Sequence, residues 1–161
     1  MSPWKEAKYI SPEDLEERVL QLKKEGKTIA TLNGSFDLLH VGHLKMIHEA
    51  SKQADSLIVA LNSDASIKKY KSPLRPINLL EHRLEMMAAL EFVDYVTFFE
   101  ETTPIALLEK IRPNVHVNGG EYGEACIEAD VVKKYGGKIY IIQLVPNFST
   151  SKLIEKIQSC V

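Results

Sequence analysis

Cysteine is scarce in this chain: Cys126 and Cys160 are the only two in 161 residues. Two thiols cannot build a disulfide framework or a four-thiolate zinc site, so a reduced setting fits. Long apolar runs are missing as well. No stretch approaches the roughly 20 residues that cross a bilayer, and Met1-Ser2-Pro3-Trp4-Lys5-Glu6 has no apolar core of a signal peptide. The sequence is therefore read as cytoplasmic. Excess charge is lacking too, with a net charge of −2. That gives no general pull toward nucleic acid or anionic membrane, so any anion site must be local. Repeats and low-complexity segments are absent. What remains, 45% hydrophobic and 26% charged, suits one globular domain over 1–161, with a lead-in and helix over 1–26 and a core over 27–161.

The chain alternates short apolar runs with amphipathic ones. Residues 1–10 read as irregular. Ser11-Pro12-Glu13-Asp14 starts a helix that Gly26 stops, with Leu15, Val19 and Leu22 on its apolar face. Strands are expected at 28–32, 56–61, 94–99, 115–117 and 139–144. The run Ser56-Leu57-Ile58-Val59-Ala60-Leu61 is apolar throughout, as a strand buried on both faces requires. Helices are expected at 44–53, after 64, at 79–91, from 103 to 112, at 128–135 and at 149–159. Strands alternating with helices imply an α/β fold: a doubly wound, five-stranded parallel sheet. In such folds ligands sit beyond the carboxyl ends of the strands, where the strand order reverses.

The loop after the first strand carries the sharpest pattern: Asn33-Gly34-Ser35-Phe36-Asp37-Leu38-Leu39-His40-Val41-Gly42-His43. His40 and His43, three apart at a helix start, share one face. Gly42 lets a bulky anion approach backbone N–H groups. Either histidine alone reads as a cap or a core residue; the pair around Gly42 reads as donors to a phosphate. Positioned donors of this kind stabilise charge that builds on phosphoryl oxygens under attack. Zinc is poorly served, because Asp37 is the only carboxylate near the pair and reads foremost as a turn residue. Magnesium carried mainly by a nucleotide's own phosphates needs few protein ligands, so no protein metal site is assigned.

Other post-strand loops add candidates. Lys68, Lys69, Lys71 and Arg75, with Pro73 and Pro76, form a mobile basic loop that is either merely solvated or folds over a phosphate. Arg83 could offer a bidentate fork, or form an ordinary salt bridge. Asn118-Gly119-Gly120-Glu121-Tyr122-Gly123 is a turn, or a place for a base to lie against the backbone. Ser149-Thr150-Ser151 caps a helix and could also hold an anion. Cys126, Cys160, Trp4, His48, His82 and His116 read as structural or incidental.

These residues resemble a known family. Asn33 to Asp37 followed by His40-Val41-Gly42-His43 resembles the H-x-G-H signature of the cytidylyltransferase-like nucleotidyltransferase superfamily. Arg83 and Ser149-Thr150-Ser151 resemble its second and third motifs. Within it, Asn62-Ser63-Asp64-Ala65-Ser66, Lys71 with Arg75-Pro76, Gly119-Gly120-Glu121-Tyr122 and Gly136-Gly137 are most similar to the adenylyltransferases of bacterial ADP-heptose synthesis. The resemblance covers about residues 28–158 and implies a Rossmann-like fold. It implies that ATP and a heptose 1-phosphate give ADP-heptose and pyrophosphate with Mg2+. By position, His40, His43 and Lys71 would be catalytic. Ser35, Phe36, Gly42, Arg83, Asn118, Gly119, Gly120, Glu121, Ser149, Thr150 and Ser151 would bind the nucleotide. Asn33, Asp37 and Arg75 would bind the sugar phosphate. The resemblance also implies a homodimer and a separate sugar kinase upstream. One departure stands out: Asn118 occupies the place before the paired glycines where the heptose enzymes usually carry Lys. The competing readings are a sister enzyme such as a glycerol-3-phosphate cytidylyltransferase, and a nucleotide-binding module without turnover.

Overall fold

The all-apolar run at 56–61 becomes the strand β2 (Ser56–Asn62), buried at every position. On one side it pairs in parallel with β1 (Ile29–Gly34), and on the other with β3 (Tyr95–Phe99). Beyond β1 lie β4 (Val115–Gly119) and β5 (Lys138–Ile142), so the parallel sheet runs β3-β2-β1-β4-β5. These are the strands of a computed structural model that describes residues 2–120, 123, 125–143 and 149–160. The chain moves outward from β1 to β3, then crosses back to β4. The order therefore reverses between β1 and β4, where the loops leaving the two strands diverge and open a crevice.

Helices cover both faces, as strands buried on two sides demand. On one face, α3 (Val41–Ser51) and α5 (Leu80–Ala88) bury Ile47, Leu84 and Met87 against Leu32, Leu57, Val59 and Val117. On the other, α2 (Leu15–Lys24) and α6 (Ile105–Ile111) bury Leu15, Val19, Leu22, Leu107 and Ile111 against Ile29 and Ile58. The four-three spacing of Leu15, Val19 and Leu22 brings them to one helical face, as expected. The short α4 (Asp64–Tyr70) and α7 (Ala129–Lys134) follow β2 and β4, and α8 (Thr150–Ser159) ends the described chain.

The first ten residues correct the expectation of an irregular lead-in. Pro3–Lys8 is a helix, α1, with Pro in its first turn. Ile10 N–H donates to the Val96 carbonyl at 2.9 Å, and Tyr9 bridges Val96 in parallel. Lys5 is buried, and Lys8 Nζ donates to the Leu90 carbonyl at 2.8 Å. Six helical residues are too few to show an apolar period, and the contacts that hold them come from β3 and the end of α5.

One charged side chain faces inward from α5. Arg83 is 0% exposed. Its Nε donates to the Asn78 carbonyl at 2.9 Å. Nη1 donates to the carbonyls of Ser35 at 2.7 Å and Asn62 at 2.9 Å. Nη2 meets Asp64 Oδ1 at 2.7 Å. This corrects the open phosphate fork expected of Arg83: four of the five N–H donors of a guanidinium are engaged inside the protein. They tie the loop after β1, the end of β2, the first turn of α4 and the segment entering α5 to one point.

Arg83→Met would strand three buried carbonyls and the Asp64 carboxylate. We expect a loss of about 3–5 kcal/mol in urea unfolding. Asp64→Asn, at a partly exposed carboxylate, should cost about 1 kcal/mol. Equal stability of Arg83→Met and the parent chain would rule out this role.

Candidate active site

At the carboxyl ends of β1, β2, β3 and β4 lies a cavity of about 330 Å³. Each strand delivers its last residues to the wall: Asn33 and Gly34, Asn62, Phe99, then Asn118 and Gly119. The loop after β1 adds Ser35 and Phe36, α3 adds His43 and Met46, and Tyr70 and Lys71 close one side. The Asn33 Oδ1 is buried with no hydrogen-bond partner among the described residues. A buried amide oxygen without a donor is costly unless a ligand supplies one.

His40 caps α3 in extended backbone, and His43 follows one turn later. Their rings stack with centroids 3.8 Å apart and planes 19° from parallel. Phe36 stands edge-on to His43 at 5.3 Å, held at a φ of 44° in the left-handed region. That backbone conformation costs a non-glycine residue about 1–2 kcal/mol, and burial of the ring offsets it. A Cβ at Gly34 would stand 3.0 Å from the Phe36 ring, so glycine makes room for it. Burial, then the repulsion that charging His43 beside His40 and Lys71 would bring, pushes His43 down to about 4, against a pull from the Leu38 backbone. Burial lowers His40 as well. Both rings are thus neutral at physiological pH. The Nδ1 atom of each ring is buried.

Lys71, at the C-terminal end of α4, donates to Ser35 Oγ at 2.8 Å. Of the basic cluster, it is Lys71 that reaches the cavity; Lys68 and Lys69 are exposed on α4. Past Lys71 the loop is fastened rather than loose. Asp37, 1% exposed, accepts from Arg75 Nε at 2.6 Å and from the backbone N–H groups of Ile77 and Asn78 at 2.9 and 2.8 Å. Asn78 Nδ2 returns a bond to the Asp37 carbonyl at 2.6 Å. Burial alone would raise this carboxyl, but the Asn78 and Ile77 amides and the Arg75 guanidinium outweigh it and hold it below its ordinary value. Asp37 and Arg75 therefore latch two loops together. That corrects their assignment to the sugar phosphate: both lie outside the cavity wall, and Asp37 is a turn carboxylate whose backbone donors come from 40 residues on.

The remaining candidates divide. Gly42 sits in the first turn of α3 but lines a neighbouring hollow with Met46, Ile142 and Gln143. Gly120 lies past the end of β4, where a Cβ would meet the Ile142 carbonyl at 3.3 Å. Ser149 caps α8 by accepting from Lys152 N–H, and Thr150 Oγ1 donates to the Leu38 carbonyl at 3.4 Å. The late serine–threonine stretch thereby reaches the histidine loop, although Ser149, Thr150 and Ser151 lie off the cavity wall. Glu121 and Tyr122 fall outside the described residues. Sequence reasoning missed Glu128, Asn62, Tyr70 and Ile127 on the wall. Glu128 stands at the start of the helix expected at 128–135, and only the crossover after β4 brings it to the cavity.

A crevice at a strand-order reversal, carrying an H-x-G-H helix start, defines the class: a Rossmann-like α/β domain of the nucleotidyltransferase type. The chain belongs to the cytidylyltransferase-like family, whose model matches residues 31–160. It is 46% identical over 135 residues to the bifunctional protein HldE of Azotobacter vinelandii, covering 83% of this chain and 28% of that protein. With the bifunctional protein HldE of Pseudomonas entomophila it shares 43% over 150 residues, covering 92% of this chain and 32% of the other. The chain thus spans about a third or less of the length of these relatives. Its fold is like that of a lipopolysaccharide core biosynthesis protein from Thermoplasma volcanium, with a TM-score of 0.60 and 24% identity over 74% of this chain and 98% of that one. It is also like that of a pantoate-beta-alanine ligase from Francisella tularensis, with a TM-score of 0.61 and 16% identity over 94% and 79% of the two chains.

The Asp37 latch has a pH signature. Its carboxyl is depressed in the folded state, so its contribution is present above the unfolded value of about 3.9 and is lost as pH falls through the folded one. Asp37→Asn should lower stability at pH 7 by about 2 kcal/mol or more and flatten the fall in stability below about pH 4. Urea midpoints taken from pH 7 to pH 3 check both.

Proposed function

We propose that this chain is an adenylyltransferase that moves AMP from ATP onto a heptose 1-phosphate, releasing pyrophosphate with ADP-heptose. The observation that carries the reading is the stacked, neutral imidazole pair whose His43 lines, with Lys71, a cavity at four strand ends. An oxygen of the sugar phosphate attacks the α-phosphorus of ATP in line. The new P–O bond forms as the bond to the bridging α–β oxygen breaks, and pyrophosphate leaves with that electron pair. The neutral imidazoles donate N–H to the non-bridging oxygens as charge builds there, and need no proton exchange to do so. Lys71 offsets charge on the same phosphates, with Ser35 fixing its ammonium.

Among the described residues no three His, Cys, Asp or Glu side chains converge as a metal cage. Magnesium would ride mainly on the nucleotide's own phosphates, where it would neutralise charge on the leaving group. The heptose assignment is supported by the segments Asn62 to Ser66 and Gly119 to Tyr122, and by the 43–46% identity with HldE proteins. Among the described residues no helix is long and apolar enough to cross a membrane. A cytoplasmic setting, where ATP is available, completes the reading.

The decisive assay pairs ATP, CTP or GTP with heptose 1-phosphate or glycerol 3-phosphate and follows pyrophosphate release. We expect turnover with ATP and heptose 1-phosphate; turnover confined to CTP and glycerol 3-phosphate would sink the assignment. His43→Ala should leave ATP binding near normal and lower kcat by about two orders of magnitude. The pH profile is a separate check. Since kcat/KM reports the free enzyme, its acid limb should fall well below the ordinary histidine value of about 6.5, toward the folded value of about 4. Lys71→Met removes a neighbouring positive charge, so any residual activity should show that limb moved to higher pH.

A further inference from the structure

The cavity wall carries one acid whose place the phosphate chemistry does not explain. Glu128 directly precedes α7 and is 6% exposed, yet it makes no side-chain cap for that helix. Its side chain lines the cavity instead. Among the described residues its carboxylate forms no ion pair. It receives a hydrogen bond from Asn118 Nδ2, at 3.3 Å, and another from the Cys126 thiol, and the buried His116 ring lies within electrostatic reach. Neither of the two neutral donors balances its charge, and a buried carboxylate without an ion pair is expensive unless something else donates to it.

The cavity is also polarised. His43, Lys71 and Ser35, which suit phosphate oxygens, come from the β1 loop, α3 and the end of α4. Glu128 and Asn118 come from the β4 side. A phosphate against Glu128 would meet like charge, whereas neighbouring hydroxyls on a sugar ring would each donate an O–H to an ionised carboxylate. Asn118 holds the carboxylate in place without neutralising it, which leaves acceptor positions open. A lysine there would cancel the charge.

We propose that Glu128, positioned by Asn118, reads a vicinal diol of the bound substrate, carried either on the ribose of the nucleotide or on the ring of the sugar 1-phosphate. This rests on the adenylyltransferase reading for the identity of those two ligands. It adds what that reading lacks: the group that orients the hydroxylated moiety away from the reacting phosphorus.

Calorimetric titration tests it without requiring turnover. One arm compares ATP with 2′-deoxy-ATP and 3′-deoxy-ATP; the other compares mannose 1-phosphate with 2-deoxyglucose 1-phosphate, which differ by one hydroxyl. In the parent chain, loss of the hydroxyl that Glu128 reads should weaken binding tenfold or more in one arm, and that arm names the source of the diol. In Glu128→Ala the parent ligand should bind at least tenfold more weakly, and the preference over its deoxy analogue should vanish. Glu128→Gln, close in shape, guards against a folding defect and should lose most of the preference. Where turnover is measurable, KM for the diol-bearing substrate should rise with little change in kcat. A preference that survives unchanged in both variants, or no preference in either arm of the parent chain, overturns the proposal. Binding that discriminates hydroxyls in a chain that turns over no nucleotide and sugar-phosphate pair would overturn the adenylyltransferase reading and leave this one standing. Turnover without discrimination would do the reverse.

Discussion

A single buried guanidinium sets the geometry on which the crevice depends. Arg83 reaches from α5 to the carbonyls of Ser35, Asn62 and Asn78 and to the Asp64 carboxylate. Two of those carbonyls, Ser35 and Asn62, stand where β1 and β2 end, and the third, Asn78, stands just before α5, places where a backbone group needs a partner from outside its own element. Without a donor they would have to be solvated, and the loops would move apart to reach water. Arg83 satisfies them from inside. The same contact fixes Ser35, whose hydroxyl then receives Lys71, so the position of a surface cation depends on a residue that never reaches the surface. The Asp37 latch repeats the device nearby and binds the basic loop to the histidine loop.

The imidazole pair shows how packing tunes chemistry. Stacked rings 3.8 Å apart cannot both carry charge cheaply, and burial penalises the charge further. The result is two neutral donors at pH 7, beside the Lys71 side chain. Charge and hydrogen-bond donation are thus divided among different side chains. A neutral donor stabilises a developing negative charge without drawing ground-state phosphate so tightly that the chemical step gains nothing. Across the cavity, Glu128 contributes the opposite sign, so the pocket has a polar axis instead of a uniform basic lining.

Much of the architecture was legible in the residues. The uninterrupted apolar run at 56–61 required a strand buried on both faces, and the alternation around it required a parallel sheet. Leu15, Val19 and Leu22 face inward as their spacing implies. The H-x-G-H stretch was legible because its two side chains are local to one helical turn. Residues whose roles depend on distant partners were misread. Arg83 and Asp37 carry charges that suit phosphate or sugar equally well, and nothing near them in the chain names their partners, which lie up to 48 and 41 residues away. The α1 lead-in failed for the same reason, being held by Val96 and Leu90 rather than by its own pattern.

Sequence by itself determined the order of elements, the faces they bury and the kind of group that stands at the first helix start. Those follow from periodicity and from local spacing of three or four residues, which the chain states directly. Only the tertiary structure decided which charges line the cavity. Burial and hydrogen bonding inside the protein withdrew Arg83 and Asp37 from the cavity wall, the Asp37 ion pair drew Arg75 off it, Lys71 stayed on it, and Glu128, which no local pattern marked, joined it. Whether a charged group serves structure or substrate depends on which acceptors and donors the fold places around it, and a linear pattern does not carry that information. The stacking of the histidine pair was legible because its geometry is set within one turn of α3.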